Sequence, residues 1–223
     1  MPRTLILFAH PALEKSRVHR RLVRNLPALA ARTPGLTFRD LYEAYPDFDV
    51  DVAAEQALLA AHDLIVFQHP FYWYSTPALL KQWTDLVLEH GWAYGSQGHA
   101  LDGKRWLTVL SLGGGAHAYQ PGGYNRRTVR DFLAPQEQTA RLCRMRFLPP
   151  YAVFGTHRMA EGDIEREGAR YERLIAALAA GAVAWPPPAD DPSDARVVTG
   201  DDADALLAAA AAGGAAGAAE VAA

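Results

Sequence analysis

Three segments of this chain, residues 4–9, 64–67 and 105–112, are predominantly apolar over the length of a β-strand. A helix or a half-exposed strand places polar residues at regular spacing, and these segments contain few of them. Such runs are typical of strands buried on both faces, which occur in parallel sheets covered by helices. The chain is therefore expected to fold into a layered α/β architecture.

Segments with helical periodicity or helix-capping residues separate these strands. Two further strands are predicted at 36–41 and 151–155, whereas 42–52 has no regular pattern. Pro27 should kink or shorten the first helix, because proline lacks a backbone N–H group. The predicted helices cover about 16–31, 53–62, a segment that begins at 77, 128–143 and 163–181. This alternation predicts an α/β, flavodoxin-like three-layer sandwich with a five-stranded parallel sheet of order 2-1-3-4-5.

The composition argues against several classes of protein. The 223 residues carry a formal net charge of −3, whereas a nucleic-acid-binding domain normally has a basic face. The single cysteine, Cys143, excludes an internal disulfide and a cysteine-rich zinc site. It is consistent with a reducing cytoplasm. No apolar run approaches the ~20 residues of a membrane span, so we expect a cytoplasmic protein whose only membrane association is peripheral.

The composition changes after Trp185. Three prolines at 186–188 are followed by an acidic stretch and then by an alanine- and glycine-rich tract. We therefore predict one domain over 1–185 and a mostly disordered tail over 186–223, with transient helix at 206–212.

Three loops should leave the carboxyl ends of the first, third and fourth strands, where open α/β sheets bind ligands. They cover 10–18, 71–75 and 111–124. The second loop is aromatic, and its flat faces and backbone N–H groups suit a planar, hydrogen-bonding ring. An alternative is that the aromatic residues only close the sheet edge. The residues predicted to bind the ring are Phe71, Tyr72, Trp73 and Tyr74.

The first loop combines a hydroxyl group, a cation and the beginning of a helix. Ser16, Arg17 and the N–H group of Val18 are predicted to hold a single phosphate, with His10 nearby. Alternatively, Ser16 only caps the helix and His10 is an ordinary residue at a strand end.

The third loop is rich in glycine. Gly113 and Gly114 allow the backbone to approach a ligand closely, although a flexible turn has the same composition. A hydroxyl group of Tyr119 or Tyr124 is predicted to donate to charge that develops on a bound ring. The alternative for each tyrosine is an ordinary surface position.

Several motifs along residues 3–180 resemble the flavodoxin-like NAD(P)H:quinone oxidoreductase family. Two others, Tyr45-Pro46-Asp47-Phe48 and Leu148-Pro149-Pro150-Tyr151, resemble in particular the ancillary subunits of glutathione-regulated potassium-efflux systems. The family motifs are Ala9-His10-Pro11, Gln68-His69-Pro70, Trp73-Tyr74-Ser75, Pro77-Ala78-Leu79-Leu80-Lys81, Glu89-His90-Gly91-Trp92-Ala93-Tyr94-Gly95 and Gly113-Gly114-Gly115.

The resemblance implies a homodimer that binds FMN, with FAD less favoured. NAD(P)H would be the co-substrate and a quinone the acceptor, with two-electron hydride transfer in a ping-pong mechanism. By position, His10 and 16–18 would hold the flavin phosphate, and 71–74 the isoalloxazine ring. The opposite ring edge would contact Ser111, Leu112, Gly113 and Gly114.

The same resemblance suggests catalytic residues. Tyr119 matches a tyrosine that lines the active site in this family. Tyr124 stands roughly where related enzymes have a histidine, so their tyrosine–histidine pair is incomplete here.

Three other functions remain open at this point. The first is a redox-sensing regulatory subunit that docks on a potassium-efflux antiporter. The second is an electron-carrying flavodoxin, and the third is a metal protein that uses His10 and His69 as ligands. The modest net charge disfavours the carrier, and no third ligand at suitable spacing supports the metal site.

Overall fold

The computed structural model describes residues 3–188 and 194–221, with side chains through residue 213. The strands of this part of the chain are β1 (Thr4–Phe8), β2 (Leu36–Asp40), β3 (Leu64–Pro70), β4 (Arg105–Ser111), β5 (Arg146–Phe147) and β6 (Tyr151–Val153). The α-helices are α1 (Arg17–Val23), α2 (Leu26–Arg32), α3 (Leu41–Ala44), α4 (Val52–Ala61), α5 (Ala78–Val87), α6 (Val129–Leu142), α7 (Glu161–Ala179) and α8 (Gly200–Val221).

The strands form one parallel sheet of order β2-β1-β3-β4-β5. β5 and β6 both pair with β4, β5 at its beginning and β6 at its end. Pro149 and Pro150 lie between them, and proline has no N–H group for a sheet hydrogen bond. The predicted fold and strand order are confirmed, with the fifth position of the sheet divided between two short strands.

Helices cover both faces of the sheet, as expected where the central strands are predominantly apolar. On one face, Ile6 of β1 belongs to the same buried cluster as Tyr171 of α7. On the other face, Leu7 belongs to a cluster with Trp83 of α5. Neighbouring residues of β1 thus point to opposite sides of the sheet. The sheet is the middle of the three layers, and each of its faces is packed against helices.

The first predicted helix is two helices in the structure. α1 ends at Val23, and Pro27 lies in the first turn of α2, where a missing N–H group costs no hydrogen bond. The prediction of no regular structure over 42–52 is wrong at its beginning. There the Asp40 carboxylate accepts hydrogen bonds from two backbone N–H groups and caps the short helix α3.

The structure also differs from the predicted disordered tail where it describes these residues. Val198 pairs with β6, and Ala203 of α8 is fully buried in the core cluster that includes α7. Asp204 accepts hydrogen bonds from an arginine of α7 at 2.9 and 2.8 Å. Alanine favours helix strongly, so the low-complexity tract forms α8 once one side is packed. Positions 189–193 and 222–223 of the predicted tail lie outside the described residues.

Candidate active site

The carboxyl ends of β1, β3 and β4 border a cavity of about 240 Å³. The three predicted loops line it, together with a fourth loop that follows β6. Six predicted residues meet there: His10, Ser16, Arg17, Val18, Tyr72 and Ser111. The other lining residues are Lys15, Pro70, Thr156 and His157.

His10 forms one wall of this cavity and is almost fully buried. The Ala12 N–H group donates to its Nδ1 at 3.1 Å, so the neutral ring carries its proton on Nε2. Nε2 lies 3.3 Å from the Tyr72 hydroxyl and donates to it. Burial lowers the pKa of His10, against the raising effect of the Glu14 carboxylate. The neutral imidazole thereby leaves the hydroxyl proton of Tyr72 available to another acceptor.

The beginning of α1 supplies the polar end of the cavity. Ser16 Oγ accepts from the His19 N–H group at 3.1 Å, so the residue caps the helix and keeps its hydroxyl proton free. Arg17 donates to the Met159 carbonyl at 3.1 Å and to Glu161 at 3.3 Å, which holds the guanidinium beside the cavity. Lys15 adds a second cation. This end suits an anionic group.

The loop after β3 makes a tight turn in an unusual conformation. Trp73 and Tyr74 have positive φ angles of 49° and 62°, which are uncommon for residues other than glycine. The N–H groups of Phe71 and Ser75 are bonded within the protein, each at 3.0 Å. Among the described residues, none accepts from the three N–H groups between them, those of 72–74. The turn therefore presents unused donors beside Trp73, whose surface is 93% exposed.

An aromatic cluster supports this turn from behind. Phe71 packs edge-to-face on Phe132 of α6, with ring centroids 5.7 Å apart, and Tyr74 stacks on the same ring at 5.0 Å. Tyr119 lies 6.1 Å from Phe71 and 5.8 Å from Phe154. The cluster fixes the position of the turn although Trp73 itself is exposed.

The structure brings Tyr119 into this cluster but not Tyr124. Burial raises the pKa of Tyr119, the neighbouring Tyr74 raises it further, and a hydrogen bond with Asn125 acts in the opposite direction. Asn125 also accepts from the Tyr74 hydroxyl at 3.3 Å. Tyr124 is 89% exposed, and none of the described residues forms a hydrogen bond or ring contact with it. Asn125, for which the sequence predicts no role, thus takes the place predicted for Tyr124.

The glycine loop after β4 lies against the fourth loop. A Cβ atom on Gly113 would overlap the His157 ring, and one on Gly114 would lie 3.2 Å from the Tyr119 ring. Leu112 is fully buried, its N–H group donates to Val153, and its carbonyl accepts from Thr156. Leu112, unlike the two glycines, has therefore no backbone group left for a ligand.

His157 and Thr156 follow β6, the fifth predicted strand, which the 2-1-3-4-5 order places beside the fourth. Its carboxyl end lies at the same edge as the other three, so this rule would have predicted a fourth site loop. We predict the strand from the sequence but assign no role to the loop that follows it. Phe132 carries no comparable sequence signal, because it looks like any apolar residue of a helix.

The alternative metal site has little support in the structure. His69 is fully buried, and its Nδ1 donates to the Pro70 carbonyl at 3.0 Å. Within the described ranges, no group of three or more His, Cys, Asp or Glu side chains is placed to hold a metal ion. None of the described helices combines the length and apolar character needed to cross a bilayer.

Comparison with known proteins places this arrangement in a family. A family model for the flavodoxin-like fold matches residues 2–175. The chain belongs to the flavodoxin-like fold family. The predicted resemblance is thereby confirmed at family level, and the cavity occupies the position where such sheets bind ligands.

Individual members of the flavodoxin-like fold family resemble the chain along most of their length. It is 44% identical over 174 residues to the glutathione-regulated potassium-efflux system ancillary protein KefG of Cronobacter sakazakii, covering 78% of this chain and 92% of that protein. General stress protein 14 of Treponema denticola, solved in complex with FMN, is 41% identical with a TM-score of 0.73, covering 79% and 99%. An NADPH-quinone reductase from P. pentosaceus is 32% identical with a TM-score of 0.67, covering 78% and 97%.

Proposed function

We propose that this chain is an FMN-dependent NAD(P)H:quinone oxidoreductase of the cytoplasm. The observation that carries the proposal is the row of unused N–H donors at 72–74, beside a cavity with Lys15 and Arg17 at its polar end. The FMN-bound relative and the NADPH-quinone reductase relative support the same chemistry.

The chemistry of the donors fits FMN at both ends. The cations and the free hydroxyl proton of Ser16 suit one phosphate group, and the lining of the cavity offers a single polar end of this kind. The N–H groups of 72–74 suit the carbonyl and nitrogen acceptors of a planar ring. Gly113 leaves the opposite edge without a side chain, and a Cβ atom there would displace His157.

When bound, FMN supplies the two-electron redox chemistry. The protein holds and orients the ring with backbone donors that are fixed before binding, which avoids reorganisation during the reaction. Because burial raises the pKa of Tyr119, its phenol stays protonated at pH 7 and can donate to developing negative charge. Asn125 positions that hydroxyl.

Arg17 offers a direct test of the phosphate assignment. Arg17→Ala should raise the dissociation constant for FMN about tenfold, because a charge-assisted hydrogen bond is lost. Arg20→Ala is the matched control, since this neighbouring arginine is exposed and does not line the cavity. Equal FMN affinity in both variants would argue against the assignment, and wild-type protein that does not bind FMN would overturn the whole proposal.

We propose a ping-pong mechanism, because the cleft offers one exposed aromatic face for both the nicotinamide and the quinone. Initial-rate plots with NAD(P)H and a soluble benzoquinone should give parallel lines. Converging lines would show that both substrates bind together. Protein that binds FMN but does not oxidise NAD(P)H would be a carrier or a sensor.

We also propose a homodimer that covers the mouth of the cleft. Tyr72, Trp73, Tyr74 and Tyr124 expose 46%, 93%, 45% and 89% of their surfaces. Clustered exposed apolar area of this kind usually marks an interaction surface. Light scattering should give twice the mass of the chain, and Trp73→Asp should shift it to the monomer; a wild-type monomer would contradict the proposal.

A regulatory role is the second candidate function, supported by the similarity to an ancillary protein of a potassium-efflux system. In this case the chain docks on an antiporter at the inner membrane surface, and catalysis is secondary. Vesicles that contain an efflux antiporter from the same genome should release potassium faster when the chain is added. Unchanged efflux, with intact quinone reduction, would leave the enzyme function alone.

A further inference from the structure

A second cavity, of about 250 Å³, lies on the face of the sheet between α5 and α6. Its floor includes Phe67 and Trp106, whose rings stack with centroids 3.9 Å apart. Ser75, at the end of the turn at 71–75, also lines it, and Phe132 packs between this cavity and Phe71. A single water has a share of about 30 Å³ in the liquid, so the space exceeds one ordered water several-fold.

His69 reaches this cavity from β3 and is fully buried. Its Nδ1 lies 3.0 Å from the Pro70 carbonyl, which only accepts, so Nδ1 carries the proton. Nε2 is consequently an acceptor, and it has no partner among the described residues. Burial lowers the pKa of His69 to about 4, so this acceptor persists at pH 7.

Gln136 of α6 adds a second unpaired group. Its Oε1 is buried in the same cavity without a partner among the described residues. The hydroxyl groups on the two flanking helices are already used, since Thr84 donates to Leu80 O and Thr139 to Pro135 O, each at 2.8 Å. Ser75, Thr76 and Thr108 also line the cavity, but none of their hydroxyl groups bonds to either acceptor. Leaving buried acceptors unpaired is costly, so the cavity is complementary to a molecule that donates.

We propose that this cavity binds a small neutral aromatic molecule with a ring hydroxyl group, of the phenol or catechol class, whose O–H group donates to Nε2 of His69. Stacked aromatic residues on the floor favour a flat ring. The volume lies below the roughly 300 Å³ at which drug-sized sites begin, which limits the molecule to one or two rings. A second hydroxyl, as in catechol, can pair with Gln136.

Phenol and anisole form a matched pair of probes, because anisole has the same ring but no donor. We expect phenol to bind the purified full-length chain about tenfold more tightly than anisole, as one hydrogen bond requires. Protein-observed NMR gives both the dissociation constants and the location. The amide signals of Thr84 and Thr139 should shift, whereas those of 72–74 report binding in the active-site cleft instead.

His69→Phe keeps a ring but removes the acceptor, so phenol and anisole should then bind equally. Gln136→Leu is a second variant at a half-buried helix position, which keeps the test available if His69→Phe does not fold. It should lower the preference for catechol over phenol several-fold. Thr84→Val is the control, since its hydroxyl is already bonded within α5 and the phenol preference should persist.

Four outcomes would overturn the proposal. Wild-type protein could bind phenol no better than anisole, or neither probe at millimolar concentration. Shifts confined to 72–74 would place the probe in the cleft alone. A preference for phenol over anisole retained in His69→Phe, or a preference for catechol over phenol unchanged in Gln136→Leu, would show that the acceptor concerned plays no part.

Discussion

Two polar regions on this sheet use their hydrogen-bonding groups in opposite ways. Between β6, α7 and α8, the Tyr151 hydroxyl donates to Glu167, and Arg170 bonds to both Glu167 and Asp204. At the cleft, the N–H groups of 72–74 have no acceptor among the described residues. One region is internally paired, and the other keeps its donors unused.

The contrast separates groups that stabilise the fold from groups that serve a ligand. A paired network is satisfied before anything binds, so losing one member costs stability. Unused donors in a strained turn contribute little to stability and gain a partner only from outside. The positive φ angles of Trp73 and Tyr74 each cost about 1–3 kcal/mol, which the aromatic cluster behind them offsets.

The largest effect is expected in the paired region. Glu167→Leu keeps the volume but leaves Tyr151 and one side of Arg170 without a partner, so the free energy of unfolding should fall by about 3–5 kcal/mol. Urea denaturation measures the loss, and FMN content per folded molecule should not change. Arg32→Ala, in an exposed ion pair, is the control and should cost about 0.5 kcal/mol or less. A loss below about 1 kcal/mol for Glu167→Leu would remove the distinction between the two regions.

Acid should affect the two regions at different pH. Burial lowers the pKa of His69 to about 4, so between pH 6.5 and 4 the unfolded chain binds a proton that the folded chain does not. The contribution of His69 to stability is therefore complete above pH 6.5 and falls by roughly 3 kcal/mol towards pH 4. Burial also lowers the pKa values of His10, His19 and His62, which adds to the loss. The bonds from Arg170 lower the pKa of Asp204, so that contact weakens only at still lower pH.

His69→Gln should reduce this loss by roughly 3 kcal/mol, the share of His69, which unfolding curves at several pH values between 4 and 7 measure. His117→Gln is the control, because His117 is exposed. If the free energy of unfolding of His69→Gln changes with pH as it does in the wild type, His69 does not contribute to the acid sensitivity of the protein.

Removing a functional group of the cleft should lower activity and leave stability nearly unchanged, the reverse of the result expected for Glu167→Leu. Under the proposed function, Tyr119→Phe should lower kcat about 10²-fold, because a donor to developing charge is lost. FMN content and the urea midpoint should stay close to wild type. Tyr124→Phe serves as the control, since that hydroxyl is exposed. Equal kcat in the two variants would remove Tyr119 from the mechanism.

The sequence predicted the fold well because apolar runs and helix caps are local signals. The strand order followed from the α/β rhythm, and His10, Ser16 and Tyr72 followed from the rule that ligands bind at strand carboxyl ends. The described part of the tail differs from the prediction, because composition alone does not show that Ala203 is buried in the core cluster that includes α7.

Other details of the site depend on tertiary contacts that no local pattern carries. The choice between Tyr124 and Asn125 is a matter of which way one short loop turns. The pairing of His157 with Gly113 joins residues more than forty positions apart. Neither residue type nor spacing indicates such a contact.

The contact between Gly113 and His157 gives the smallest predicted effect. Gly113→Ala forces the His157 ring out of its place and into the cavity, so FMN should bind about tenfold more weakly, a typical result of overpacking. His157→Ala in the same chain removes the overlap and should restore FMN affinity, which fluorescence titration measures. Gly122→Ala, where a Cβ atom meets nothing within 4 Å, should leave affinity unchanged. If the double variant binds FMN as weakly as Gly113→Ala alone, the loss of affinity comes from the changed backbone at position 113. His157 would then have no part in shaping the FMN cleft.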